Sequence, residues 1–221
     1  MNLPFDLFTP AWHVMAALIC VASMLIAALG VRWRELLHSG VRLNALLGFA
    51  VIMTLLWSLR AGVLPGLNLH LLGAMAACLM FGPCLALFAM AAALTGIALN
   101  GAVEWAAWPL NLVVMGLLPV LFAQALRALV ERWLPAHFFV YVFVLGFAGS
   151  ALVVMLAGLS ASVLLWAAGA YDWAQLAGEY LPYFLLLGFS EAWISGAVLT
   201  MMLVYRPEWV QTFDDRRYLR R

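Results

Sequence analysis

Long apolar runs, each close to the length of a membrane span and joined by short connections, restrict this chain more than any other feature. A hydrocarbon core about 30 Å thick needs roughly 20 apolar helical residues to cross it. Inside that core each backbone amide must find its partner within the protein, so such runs can only be helices gathered into a bundle. The sequence therefore predicts an all-α membrane protein. Composition agrees: 67% of the 221 residues are hydrophobic, 10% are charged, and mean hydropathy is +1.06, which excludes an ordinary water-soluble domain.

Seven spans are expected, at about 11–31, 44–63, 69–81, 84–99, 107–126, 137–168 and 181–205. They make one transmembrane domain over residues 1–205, followed by a cytoplasmic C-terminal tail over 206–221. The third run is short for a full span, and Gly82-Pro83 joins it to the fourth with no room for a polar loop. The sixth is long enough to be tilted or broken in two. Small residues four apart, Gly73 with Ala77 and Gly146 with Ser150, suit close helix approach in lipid. No internal repeat is visible.

All eleven basic residues are arginines. With seven spans, Arg32, Arg34, Arg42, Arg127, Arg132, Arg206, Arg216, Arg217, Arg220 and Arg221 share one side, which the positive-inside rule makes cytoplasmic. The N-terminus then faces outward and the chain is a multi-pass protein of the cell's inner (plasma) membrane. Arg60 falls near the outer end of the second span, where it can snorkel or pair with Glu104. Trp105, Trp108, Tyr171 and Trp173 are placed as interfacial anchors. Residues 1–10 carry only Asp6, so they lack the positive region of a secretory signal, and the first span is expected to be retained.

Cys20, Cys78 and Cys84 all lie within apolar runs and read as small hydrophobes, not as a disulfide set. No basic stripe with interleaved aromatics suggests a nucleic-acid partner. Phosphate-loop, dinucleotide, nucleophile-elbow and zinc-protease signatures are all missing, so the chain is not expected to be an enzyme, and any ATP hydrolysis must come from another chain.

Four histidines remain as chemistry-bearing candidates. His70, in Asn68-Leu69-His70-Leu71-Leu72-Gly73, enters the third span from the outer side, the side of residues 1–10. It either bonds a loop carbonyl or serves a ligand. His13 sits a few residues into the first span and can face the same vestibule or be structural. His38 and His137 lie on the inner side and cannot join an outer site. Asn111 follows Trp108-Pro109 at the start of the fifth span, where an amide can cap a helix, bond an irregular loop or support a metal-ligating imidazole. Glu191 lies mid-way along the seventh span with no arginine expected at its depth, so it is either a buried structural acceptor or a coupling residue.

Taken together, Asn68 to Gly73, Phe81-Gly82-Pro83, Ala107-Trp108-Pro109-Leu110-Asn111, Met115-Gly116 and the Glu191 to Thr200 stretch resemble the cobalt/nickel-type permeases of energy-coupling-factor transporters, the CbiM/NikM family. The resemblance implies a seven-helix substrate-capturing subunit for cobalt or nickel. It implies an amino terminus folded into the bundle, with metal held by backbone nitrogens near Met1 and Asn2, an imidazole at position 2 and the central-block histidine, here His70. Asn111 would support that site. An ECF-type transmembrane coupling subunit and cytoplasmic ATPases would be partners. The chain departs from the pattern at Asn2, where the family places histidine; His13 or Asp6 could replace the missing ligand, the site could have moved to another solute, or metal binding could be lost. Two alternatives follow from the residues: a membrane scaffold or assembly protein, and a haem-binding redox protein ligated by His13 and His70.

Overall fold

The computed structural model describes residues 2–62 and 64–219; Met1, Arg220 and Arg221, which carry a ligand expectation and part of the tail charge, lie outside the described residues. Within them, six helices are long and apolar enough to cross a membrane: α1 (Pro10–Gly30), α2 (Gly40–Ser58), α3 (Ala74–Leu99), α4 (Trp105–Trp133), α5 (Val140–Ala167) and α6 (Tyr183–Tyr205).

One of the six is not a single rod. Gly82, with φ 76° and ψ 167°, breaks α3 ahead of Pro83 in a conformation essentially reserved for glycine. Gly73, just before α3, lies so close to α2 that an added Cβ would stand 2.6 Å from Met53 Sδ. The next α2 residue, Thr54, reaches 3.5 Å from the Ala93 carbonyl with its hydroxyl. Along a straight helix residues 73 and 93 would be about 30 Å apart. The chain therefore doubles back at Gly82 into two antiparallel pieces, a half-helix over 74–81 and a longer one beyond it.

Residues 67–73, which feed the half-helix, are non-helical. About six extended residues at roughly 3.3 Å each, followed by about eight helical residues at 1.5 Å each, cover about 30 Å, one hydrocarbon thickness. The chain thus runs between the two ends of the bundle seven times, its third passage half non-helical and half helical, so that six helices rather than the seven expected are long enough to span. The expected tight join at Gly82-Pro83 is present. The long sixth run is one continuous helix, α5, whose first ten residues, Val140–Gly149, form wide π-type turns before the α-helical Ser150–Ala167.

Odd passage puts the two described chain ends at opposite ends of the bundle. At the N-terminal end, Pro4 and Leu7 lie against the Gly66 turn, and Tyr171 and Tyr180 donate to the Pro65 and Asn68 carbonyls at 2.8 and 3.3 Å. Burial pushes the Tyr180 hydroxyl pKa up, which keeps it a donor. At the C-terminal end, Gly30 abuts Cys84, and the Gln211 amide donates to the Met80 carbonyl at 2.9 Å.

The core is α3. Two thirds of its most apolar window is buried, against 22% for α1, whose Leu18, Ile26 and Leu29 point outward where lipid would lie. Alanines carry much of that burial, among them Ala74, Ala77, Ala86, Ala89 and Ala93. Lipid tails are as apolar as leucine, so close packing of small side chains, rather than exclusion from water, draws the helices together. Gly146 and Gly196 meet on the same logic, where α5 crosses α6.

Candidate functional site

Residues 2–8 fold into the N-terminal end instead of trailing from it. Pro4 and Pro10 leave this segment only partly extended, since Phe5–Leu7 closes a 3-10 turn and Pro10 opens α1. His13 fixes that turn: its ring stacks on Phe5 at 4.1 Å between centroids and its Nε2 lies 3.0 Å from the Phe5 carbonyl. A carbonyl only accepts, so Nε2 is the donor, and Nδ1 is buried without a partner.

Asn111, fully buried in the first turns of α4, grips Leu3 by both sides of its backbone. Its Oδ1 accepts from the Leu3 amide at 2.7 Å, and its Nδ2 donates to the carbonyls of Leu3 at 2.9 Å and Ala107 at 3.0 Å. A side-chain amide here imitates a neighbouring strand. Of the roles open to Asn111 from sequence, holding an irregular segment is the one it plays; it caps no helix. A π-type turn, Val113–Leu117, follows directly, a distortion frequent near functional sites.

That grip carries Asn2 inward, 5% exposed, with both its amide oxygen and its nitrogen buried and unpartnered. His70 is 3% exposed, in the extended half of the third pass, with its ring 5.4 Å from that of Trp57. Its Nδ1 donates to the Leu71 carbonyl at 3.0 Å, which fixes the tautomer. Nε2 therefore presents a lone pair, and it too is buried without a partner. An imidazole held by Nδ1–H on a backbone carbonyl with Nε2 free is in the state in which histidine binds metals.

Glu191 is the residue whose partner sequence reasoning missed. Among the described residues no arginine pairs with it; Oε2 accepts from the Leu72 amide at 2.8 Å, and Oε1 from the Gly73 amide at 2.7 Å and the Ser195 hydroxyl at 3.1 Å. The carboxylate sits where the extended stretch becomes the half-helix, at the positive end of that helix. A separation of 118 residues left no local signal for it.

The remaining candidates are spread out. Asp6 is exposed on the Phe5–Leu7 turn. His38 and His137 are exposed at the C-terminal end, bonded to the Arg34 carbonyl and the Phe139 amide. Arg60 bonds the Ala102 carbonyl at 3.0 Å; of its two alternatives, snorkelling or pairing with Glu104, the ion pair is not formed. No group of three or more His, Cys, Asp or Glu suited to a metal is present among the described residues. A cleft of about 510 Å³ runs from the N-terminal surface down to Asn2, past Pro4, Arg60, Asn68 and Glu104.

The family model described as "Cobalt uptake substrate-specific transmembrane region" matches residues 2–209. The chain belongs to the CbiM family. It is a multi-pass membrane component of metal uptake and not an enzyme. The CbiM fold is shared with two crystal structures. One, described as a transition metal transporter, is 17% identical with a TM-score of 0.77 over 92% of this chain and 93% of that one. The other, a truncated transition metal transporter, is 18% identical with a TM-score of 0.70 over 93% of this chain and 99% of the other. No curated protein matches this CbiM chain.

Proposed function

We propose that this chain is the substrate-capturing subunit of an uptake transporter for a divalent transition metal of the cobalt/nickel class, with His70 Nε2 as a metal ligand. The observation that carries the proposal is the pairing of a fixed His70 tautomer with a buried, unpartnered Nε2, at the end of the bundle where Asn2 brings two more unpartnered polar atoms. A buried polar atom without a partner costs about 1–3 kcal/mol, and a bound ion or its water would remove that cost.

Asn2 and the backbone of the terminal segment are the proposed second half of the site, with the amide oxygen, a harder and weaker donor than imidazole, in place of a second histidine. Asn111 supports it by holding Leu3. His13 and Asp6 shape the entering turn. The arginines of the C-terminal end, Arg32, Arg34, Arg42, Arg127, Arg132, Arg206, Arg216 and Arg217, support an outward-facing N-terminal end and a cytoplasmic tail in the inner (plasma) membrane. ATP hydrolysis belongs to separate cytoplasmic ATPases, reached through an ECF-type transmembrane coupling subunit.

Metal content and calorimetry of the purified chain test this directly. The expected result is binding of nickel or cobalt tighter than micromolar, lost in His70→Ala. Absence of binding to nickel, cobalt, copper and zinc, or a His70→Ala variant that binds like the wild type, ends the proposal.

A further inference from the structure

His70 and Glu191 lie on different elements, yet one peptide group joins them. The carbonyl that receives the His70 Nδ1–H belongs to Leu71, and the amide hydrogen of that same peptide unit, on Leu72, is donated to Glu191 Oε2 at 2.8 Å. The chain of bonds runs from imidazole N–H to carbonyl, through the peptide, to amide N–H and carboxylate. A carboxylate that accepts from a peptide N–H polarises the peptide and makes its carbonyl a stronger acceptor. Carboxylates that hold a metal-binding histidine directly fix its orientation and raise its basicity; here the 71–72 peptide stands between them.

Glu191 also fixes the backbone geometrically. Gly73 turns the chain with φ 71° and ψ 2°, and its amide is the second one that Glu191 accepts, at 2.7 Å. Gly73 is the N-cap of the half-helix and Leu72 precedes it, so neither amide has an acceptor within that helix, and both residues are buried. Ser195, one turn along α6, donates to Oε1 and sets the rotamer of the carboxylate. All of this bears on the residues immediately after His70.

We infer that Glu191 is a positioning residue for metal capture, orienting and polarising His70 through the Leu71–Leu72 peptide. The inference rests on the reading of His70 as a ligand. It also ties the capture site to α6, the helix that leads directly into the C-terminal tail.

The test is calorimetric titration of the full chain with nickel(II), together with the d–d absorption of cobalt(II) at saturation, for wild type, His70→Ala, Glu191→Gln and Ser195→Ala. Glutamine keeps the volume but turns an NH2 group toward one of the two amides. Glu191→Gln should weaken nickel binding by about ten- to a hundredfold and shift the cobalt spectrum, whereas His70→Ala should lose binding. Wild-type binding by His70→Ala removes the capture reading and this inference with it. Lost binding in His70→Ala alongside a wild-type cobalt spectrum in Glu191→Gln, whatever its affinity, overturns the inference alone, because a merely structural carboxylate would leave the ligand field unchanged. If Glu191→Gln does not fold, Ser195→Ala decides: weaker nickel binding with a shifted spectrum supports positioning, and wild-type values for both overturn it.

Discussion

At the C-terminal end of the bundle, polar groups close on one another. Glu131 takes Arg127 at 2.9 Å and Arg217 at 3.4 Å, Tyr141 and Thr212 share a 2.6 Å hydrogen bond, and Thr212 donates on to the Leu79 carbonyl at 2.7 Å. Phe213 and Tyr218 stack beside Tyr141. At the N-terminal end, Asn2, His13, Trp57, His70 and Trp108 all bury polar atoms that bond nothing. Residues 67–73 there are non-helical, whereas at the other end the tail pairs with the last carbonyls of the half-helix. Of the described residues with unpartnered buried polar side-chain atoms, five gather at the N-terminal end, while Gln124 and Tyr218 are the others.

The largest effect that could break this contrast is His70→Ala. If the open end is a metal site, calorimetry should show nickel or cobalt affinity falling by roughly two orders of magnitude or more, since even groups that merely orient metal ligands are worth about ten- to a hundredfold. Unfolding of the chain should also register the change, because the Leu71 carbonyl loses its donor and a cavity opens beside Trp57, so a thermal melt must show that the variant is folded before its affinity is compared.

Asn111→Ala comes next and strikes the same end through its support. Three hydrogen bonds vanish and the Leu3 amide and carbonyl are left bare, so thermal melts in detergent should report a loss of about 1–3 kcal/mol, together with weaker metal binding. A loss of stability with full metal affinity would separate the folded-in terminus from the site.

Gly82→Ala tests the reversal at the closed end. Nothing lies within 4 Å of the added Cβ, so the cost is backbone strain alone, of order 1–3 kcal/mol from the positive φ. Metal affinity should stay near the wild-type value, since the strain falls at the reversal and not at Gly73.

The smallest effects belong to the closed end. Thr212→Ala should cost about 1 kcal/mol and speed hydrogen exchange at the Gln211 amide, while the half-exposed Arg217 should be worth no more than about 1 kcal/mol in a melt of Arg217→Ala. Metal binding unchanged in both would sharpen the division of labour; weakened binding would show that the tail reaches the capture end through residues 74–81.

Much of this was legible without coordinates. Apolar runs located every pass, Gly82-Pro83 marked the reversal, and the uncharged block around His70 pointed to the open end. Asn111 and Glu191 were conspicuous as polar residues in apolar surroundings, but their partners were not, and neither was the Ala102 carbonyl that Arg60 bonds. The half-helical third pass was visible only as a run too short to span.

By itself the sequence determined a seven-pass helical membrane protein with a tight reversal and a strongly one-sided arginine distribution. Those features follow from local demands, the satisfaction of backbone amides in lipid and the backbone freedom of glycine, which composition records directly. Only the tertiary structure decided that Asn111 holds Leu3, that Glu191 holds the peptides after His70, and that His70 Nε2 is left free. Each of these joins residues remote in the chain, 108 and 119 positions apart for the first two, or depends on which nitrogen a neighbouring carbonyl claims. Packing settles such matters, because a buried polar atom is satisfied by whatever the fold brings beside it.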